Sequence, residues 1–125
     1  MNIGRKPFDF RLIIKCTRRC NFSCQYCLDR RNSHDSDINF ANLTAIFSQL
    51  GQLHDTKKIQ IIWHGGEPLL RGIDFFQKAL FLQEKLVSKS VQVTHVLQTN
   101  GSLVTEEWAS FFLNNDFHLG VSLDG

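Results

Sequence analysis

An α/β fold of parallel strands is what this sequence predicts, and three observations lead to it. Short runs rich in Ile, Leu and Val alternate with longer runs whose apolar residues recur at helical spacing, the pattern of successive βαβ units. Glycine, asparagine and other turn-forming residues fall just after the apolar runs, where α/β folds place their ligands. The chain has 125 residues, 42% of them apolar and eleven of them phenylalanine, which is enough for a single buried core and unlike a disordered segment.

Residues 10–16 (FRLIIKC) open the series as a first strand. A cysteine-bearing loop follows, then a polar linker over residues 30–37. Phe40, Leu43, Ile46, Phe47, Leu50 and Leu53 recur at the spacing of a first helix. Residues 58–64, with Ile59, Ile61, Ile62 and Trp63, form a second strand, punctuated by Gly65-Gly66-Glu67-Pro68. Ile73, Phe76, Leu80 and Val87 mark one face of a second helix. Residues 91–97 are β-branched and apolar, a third strand, and Asn100-Gly101 is a turn. Thr105 suits an N-cap, with Glu106 and Glu107 favourable in the first turn of a third helix that carries Trp108, Phe111 and Phe112. Residues 118–123 are a fourth short strand. The tryptophans and phenylalanines read as core. A closed (β/α)₈ barrel needs roughly 250 residues. About four parallel strands and three helices therefore make the N-terminal part of a partial, TIM-like (β/α) barrel, and a longer parent protein is expected.

The formal charge of +2 selects no partner. Its distribution is uneven: Arg5, Lys6, Arg11, Lys15, Arg18, Arg19, Arg30 and Arg31 crowd the start of the chain against Asp9 and Asp29. Such a run is ordinarily a solvated rim; the sharper reading is a patch for an acidic cofactor, an acidic electron-carrier protein or a peptide. No nucleic-acid recognition motif accompanies it. The first residues lack the apolar stretch of a signal peptide, and no run approaches membrane-spanning length, so a cytoplasmic location is expected. In that compartment thiols stay reduced, and clustered cysteines more often bind metal than pair as disulfides.

Cys20, Cys24 and Cys27 are spaced C-x₃-C-x₂-C. Iron–sulfur clusters are held by cysteine thiolates, four for a complete set, so a loop with three leaves one iron open to an outside ligand. Zinc is the competing metal; Cys16 or His34 would then complete a tetrahedral set. Cys16 itself reads as a small buried hydrophobe at the end of the first strand rather than as a ligand.

The cysteine spacing, with Tyr26 just before the last cysteine, resembles the signature of the radical S-adenosylmethionine superfamily. Gly65-Gly66-Glu67-Pro68 resembles that family's GGEP motif, and Gln98-Thr99-Asn100-Gly101 and Ser122-Leu123-Asp124-Gly125 stand where its later strand ends do. The set, in this order over about residues 10–125, resembles the SPASM-type subgroup, which includes anaerobic sulfatase-maturating enzymes and peptide maturases. The resemblance makes residues 1–125 the N-terminal portion of a radical SAM core domain, with the remaining strands and the SPASM region expected beyond it.

It also implies roles. Cys20, Cys24 and Cys27 would each bind one iron of a [4Fe–4S] cluster, whose fourth iron chelates the methionyl amino and carboxylate groups of S-adenosylmethionine. One-electron reduction would cleave the sulfonium and give a 5′-deoxyadenosyl radical that abstracts hydrogen, with the cofactor supplying the hard chemistry. Gly65 and Gly66, lacking Cβ, would let backbone carbonyls approach the cofactor's amino group. Glu67 would complement that ammonium, Tyr26 would support the adenine, Ser122 would bond the ribose or carboxylate end, and Gln98 and Asn100 would line the pocket. His64 reads as structural, Asp124 is open between substrate contact and turn cap, and His54, His95 and His118 lack ligand spacing. The expected activity is that of an oxidoreductase or maturase oxidising or crosslinking a peptide or protein side chain, supplied with electrons by a flavodoxin- or ferredoxin-type carrier, with no nucleic acid or membrane involved. The alternatives are a radical enzyme acting on a small molecule and a zinc-stabilised binding module.

Overall fold

The computed structural model of the chain describes residues 8–17, 37–53 and 56–121. Within them the order is β1 (Phe10–Thr17), α1 (Phe40–Gly51), β2 (Lys58–Gly65), a 3₁₀ turn (Pro68–Arg71), α2 (Ile73–Leu86), β3 (Gln92–Thr99), α3 (Glu106–Asn114) and β4 (Phe117–Val121). The strands lie in sequence order β1-β2-β3-β4, and every pairing is parallel. This is the four-strand, three-helix arrangement that the alternation predicts. It differs from the sequence reading mainly at element ends. β1, β2 and β3 each run further towards the site than expected, to Thr17, Gly65 and Thr99, and β4 begins one residue earlier, at Phe117. Helix ends are set by caps. Asn39 accepts from the Asn42 amide at 2.8 Å to start α1, and Thr105 accepts from the Trp108 amide at 3.2 Å to start α3. Leu53, grouped with the first helix by spacing, lies beyond its end.

The helices pack on one face of the sheet, as connections of a single hand between successive parallel strands require. The alternating burial follows. Ile14 and Cys16 of β1, Ile59, Ile61 and Trp63 of β2, His95, Leu97 and Thr99 of β3 and Phe117 of β4 are buried. Against them pack Leu43 and Phe47 of α1, Phe75, Phe76 and Ala79 of α2, and Trp108, Phe111 and Phe112 of α3. Phe76 is the hub, with edge-on contacts to Trp63 at 5.4 Å, Phe75 at 5.0 Å, Trp108 at 5.8 Å and Phe117 at 6.2 Å. Such aromatic pairs each add roughly 0.5–1.5 kcal/mol beyond the area they bury.

Not every phenylalanine is core. Phe10, at the outer end of the edge strand β1, is 47% exposed, and Phe81, on the far side of α2 beneath the Lys85 ammonium, is 59% exposed. The other sheet face carries Ile13, Lys15, His64, Gln98 and His118, all exposed. Register aligns Ile13, Ile62, Val96 and His118 in one row across it, with Lys15 beside His64 one step nearer the strand ends.

Candidate functional site at the strand ends

The C-terminal ends of β1, β2 and β3 are bonded into one unit. Gly65 takes a φ of 131°, and a Cβ there would sit 2.1 Å from the Thr17 carbonyl oxygen, so only glycine allows the two strand ends to touch. The next amide, Gly66 N–H, donates to that same Thr17 oxygen at 2.9 Å. The glycine turn therefore rests directly on the residue from which the cysteine loop departs.

Glu67 turns inward. Its side chain is fully buried and its carboxylate accepts from the Leu69 amide at 2.9 Å, the Asn100 amide at 2.7 Å and the Thr99 hydroxyl at 2.8 Å to each oxygen. A buried carboxylate is tolerated only when its acceptor sites are filled, and here neutral donors fill them. Thr99 in turn accepts from the Gly101 amide at 3.1 Å. The Glu67 carboxylate is thus hydrogen-bonded within the chain to groups of the 3₁₀ turn and of the end of β3. Pro68 opens the 3₁₀ turn that follows, in which Arg71 is the basic residue.

Asn100 and Gly101 form a turn. The Asn100 side-chain oxygen accepts from both the amide and the hydroxyl of Ser102, at 2.9 and 2.7 Å, and Gly101 has a φ of 83°. Gln98 points to the open sheet face and lies across Gly120, where an added Cβ would come within 2.5–2.7 Å of the Gln98 amide group. His64 is exposed on the same face beside Lys15, and its backbone oxygen accepts from the Cys16 thiol at 3.4 Å.

Cys16 faces the core, fully buried, with its thiol pushed up to about 12 by burial. Its burial and its hydrogen bond to the His64 carbonyl fit the reading of Cys16 as a small buried hydrophobe at the end of the first strand. His95 is also a core residue. Its Nδ1 accepts from Trp63 Nε1 at 3.0 Å, which places its proton on Nε2 for donation to the Gln83 side-chain oxygen at 2.8 Å; burial lowers its pKa to about 4. Among the described residues no group of three or more His, Cys, Asp or Glu side chains could hold a metal ion. Cys20, Cys24, Cys27, Tyr26, Ser122, His34 and Asp124 lie outside the described residues.

Three residues that sequence reasoning did not single out complete the strand-end unit: Thr17, Asp37 and Arg71. The Thr17 hydroxyl donates to Asp37 Oδ1 at 2.6 Å, and an isolated antiparallel bridge joins the two residues. Arg71 Nη1 donates to the Cys16 and Ile38 carbonyls. Each is an ordinary polar residue in the sequence, and no local spacing marks it. Cys20, Cys24 and Cys27 follow Thr17 in sequence, and Thr17 is the residue on which the Gly65–Gly66 turn rests.

Comparison with known proteins agrees with this arrangement. A family model described as the Radical SAM superfamily matches residues 14–125. A serine-type anaerobic sulfatase-maturating enzyme of Klebsiella aerogenes is 33% identical over 97% of this chain and 31% of its own length. A cysteine-type anaerobic sulfatase-maturating enzyme of Clostridium perfringens is 34% identical over 91% of this chain and 32% of its own. The solved structure of native anSMEcpe with bound AdoMet and Cp18Cys peptide superposes with a TM-score of 0.81 at 33% identity, over 93% of this chain and 32% of that one. The chain thus spans about a third of the length of the curated relatives it matches.

Proposed function

We propose, for a chain that belongs to the radical SAM superfamily, that it forms the cofactor-binding part of a radical enzyme acting on a peptide or protein side chain. In this reading Cys20, Cys24 and Cys27 hold a [4Fe–4S] cluster, and the Gly65 and Gly66 carbonyls receive the amino group of S-adenosylmethionine. Bound there, the pair supplies one-electron cleavage of the sulfonium to a 5′-deoxyadenosyl radical. Tyr26 supports the adenine, and Ser122 bonds the ribose or carboxylate end. Glu67 is a brace: with Thr99 and Asn100 it keeps the ends of β2 and β3 in fixed relation, so the carbonyls are held in place before a ligand arrives.

The observation that carries the proposal is the Gly66–Thr17 hydrogen bond at 2.9 Å. It makes the start of the cysteine loop and the glycine turn immediate neighbours, as a ligand spanning a cluster and a backbone acceptor requires. Peptide as the substrate class rests on the sulfatase-maturating relatives and on the peptide in the anSMEcpe structure. Serine-type and cysteine-type relatives are equally similar, at 33% and 34% identity, so the proposal extends to side-chain oxidation and not to which residue is oxidised. A reduced electron carrier and a cytoplasmic setting belong to the same proposal. Of the basic residues near the start, Arg11 and Lys15 are exposed on the open sheet face.

The test is anaerobic reconstitution of the protein with iron and sulfide, followed by dithionite and S-adenosylmethionine. About four irons per chain and release of 5′-deoxyadenosine are expected, and both should be lost in Cys20→Ala, Cys24→Ala and Cys27→Ala. A colourless protein that takes up zinc and no iron would overturn the proposal.

A further inference from the structure

The Arg71 side chain touches both ends of the cysteine-bearing segment. Residues 18–36 lie in the chain between Thr17 and Asp37. There the chain is closed by a neck: Ile38 N–H donates to the Cys16 carbonyl at 3.1 Å, and the Thr17 hydroxyl donates to Asp37 Oδ1 at 2.6 Å. Across this neck lies the Arg71 guanidinium. Its Nη1 donates to the Cys16 carbonyl at 3.1 Å on the outgoing side and to the Ile38 carbonyl at 2.7 Å on the returning side, and stands 3.7 Å from Asp37 Oδ2. Its flat face rests on the Phe75 ring, 3.9 Å from the centroid, and only 12% of the side chain is exposed.

We propose that Arg71 is a positioning residue that clamps Cys16 and Ile38, on either side of the segment carrying the three cysteines, to the 3₁₀ turn following the glycine motif, so that this segment starts and ends at a fixed place relative to the glycine carbonyls. The inference rests on the cluster reading above and adds a residue to it. Arg71 sits four residues after Glu67, on the same short turn, so the backbone that carries the proposed ligand carbonyls also carries the clamp. Closing a loop costs entropy; a neck closed beforehand takes that cost off metal binding. Charge-assisted donors are the strong ones; here one guanidinium nitrogen donates to both carbonyls while the planar group stacks on Phe75, and a lysine, with no planar group to stack, holds its nitrogen there less firmly.

The test uses the full protein with Arg71→Lys and Arg71→Ala, and Phe112→Leu as a control that weakens the core at α3, away from the neck. Two quantities are read: the rate at which a chelator strips iron from the reconstituted protein, and hydrogen exchange of the Ile38 amide in the metal-free protein, with Ile61 of β2 as internal reference. The Arg71 variants should lose iron roughly tenfold faster, as supporting partners of metal ligands do when mutated. Their Ile38 amide should exchange faster while Ile61 is unchanged. Phe112→Leu should lower the melting temperature and leave both readouts at the wild-type value.

Wild-type iron loss in Arg71→Lys, with Ile38 still protected, overturns the clamp; so does a Phe112→Leu variant that sheds iron as fast as the Arg71 variants. Should the wild type take up no iron, the cluster reading fails, and accelerated Ile38 exchange alone would still establish the clamp on the neck.

Discussion

Glu67 and Thr99 stand 32 residues apart in sequence, yet the Thr99 hydroxyl lies 2.8 Å from both oxygens of the Glu67 carboxylate. The pair joins the turn after β2 to the last residue of β3. Two backbone amides, of Leu69 and Asn100, fill the remaining acceptor sites. Glu67→Gln sets an amide NH₂ against one of those fixed N–H donors, which should cost about 1–3 kcal/mol. Urea unfolding checks it, and a midpoint equal to wild type would show that the brace adds nothing. Thr99→Ser, which keeps the hydroxyl, should stay closer to wild type than Thr99→Val.

Gly65 and Gly120 should respond differently to the same added methyl. At Gly65 the new Cβ meets the Thr17 backbone oxygen at 2.1 Å with φ at 131°, and backbone cannot yield. Gly65→Ala should destabilise by about 3 kcal/mol or more, or prevent folding, as severe backbone conflicts do. At Gly120 the clash is with the end of the flexible Gln98 side chain. Gly120→Ala should cost less than about 1.5 kcal/mol while turning the Gln98 amide away from its place on the open face. Thermal melts of the two variants decide; equal losses would contradict the assignment.

His95 should make the fold acid-sensitive. Burial lowers its pKa from 6.5 to about 4, so between those values the unfolded chain binds a proton that the folded chain does not. The contribution is complete above pH 6.5 and is lost as pH falls towards 4, by at most about 3 kcal/mol. In His95→Phe the pH dependence across this window should shrink, although the variant is less stable overall because Trp63 and Gln83 lose their partner. Denaturant midpoints from pH 7 to 4 for both proteins measure the difference, and parallel curves would exclude His95 as the source.

Cys16 should behave as core. With its thiol buried and raised to about 12, it should resist alkylation in the native protein and react only after unfolding. Cys16→Ala should keep the full iron content of the reconstituted protein and lose roughly 1 kcal/mol from the small cavity. Loss of iron in this variant would return Cys16 to the ligand set.

Much of the fold could be read locally. Ile59, Ile61 and Trp63 alternate as a half-buried strand does, Thr105 followed by two glutamates announces a helix start, and the glycine motif directly follows an apolar run. Such signals lie within a few residues of each other, so pattern and propensity suffice. The same holds for the cysteine spacing and the GGEP-like motif, which led to the superfamily that the comparisons show.

What only the tertiary structure decided is which polar groups meet. Glu67, within a motif read as ligand-facing, is buried against Thr99 and Asn100; Arg71, unremarked in sequence, bridges Cys16 and Ile38; Phe81 is exposed although Phe76, five residues earlier, is the hub of the core. Hydrogen-bond partners separated by 30 to 55 residues are set by strand order and crossover hand, and those exist only once the parallel sheet has assembled. Residue types could announce polar strand ends; the sheet determined which of those polar groups bond to one another.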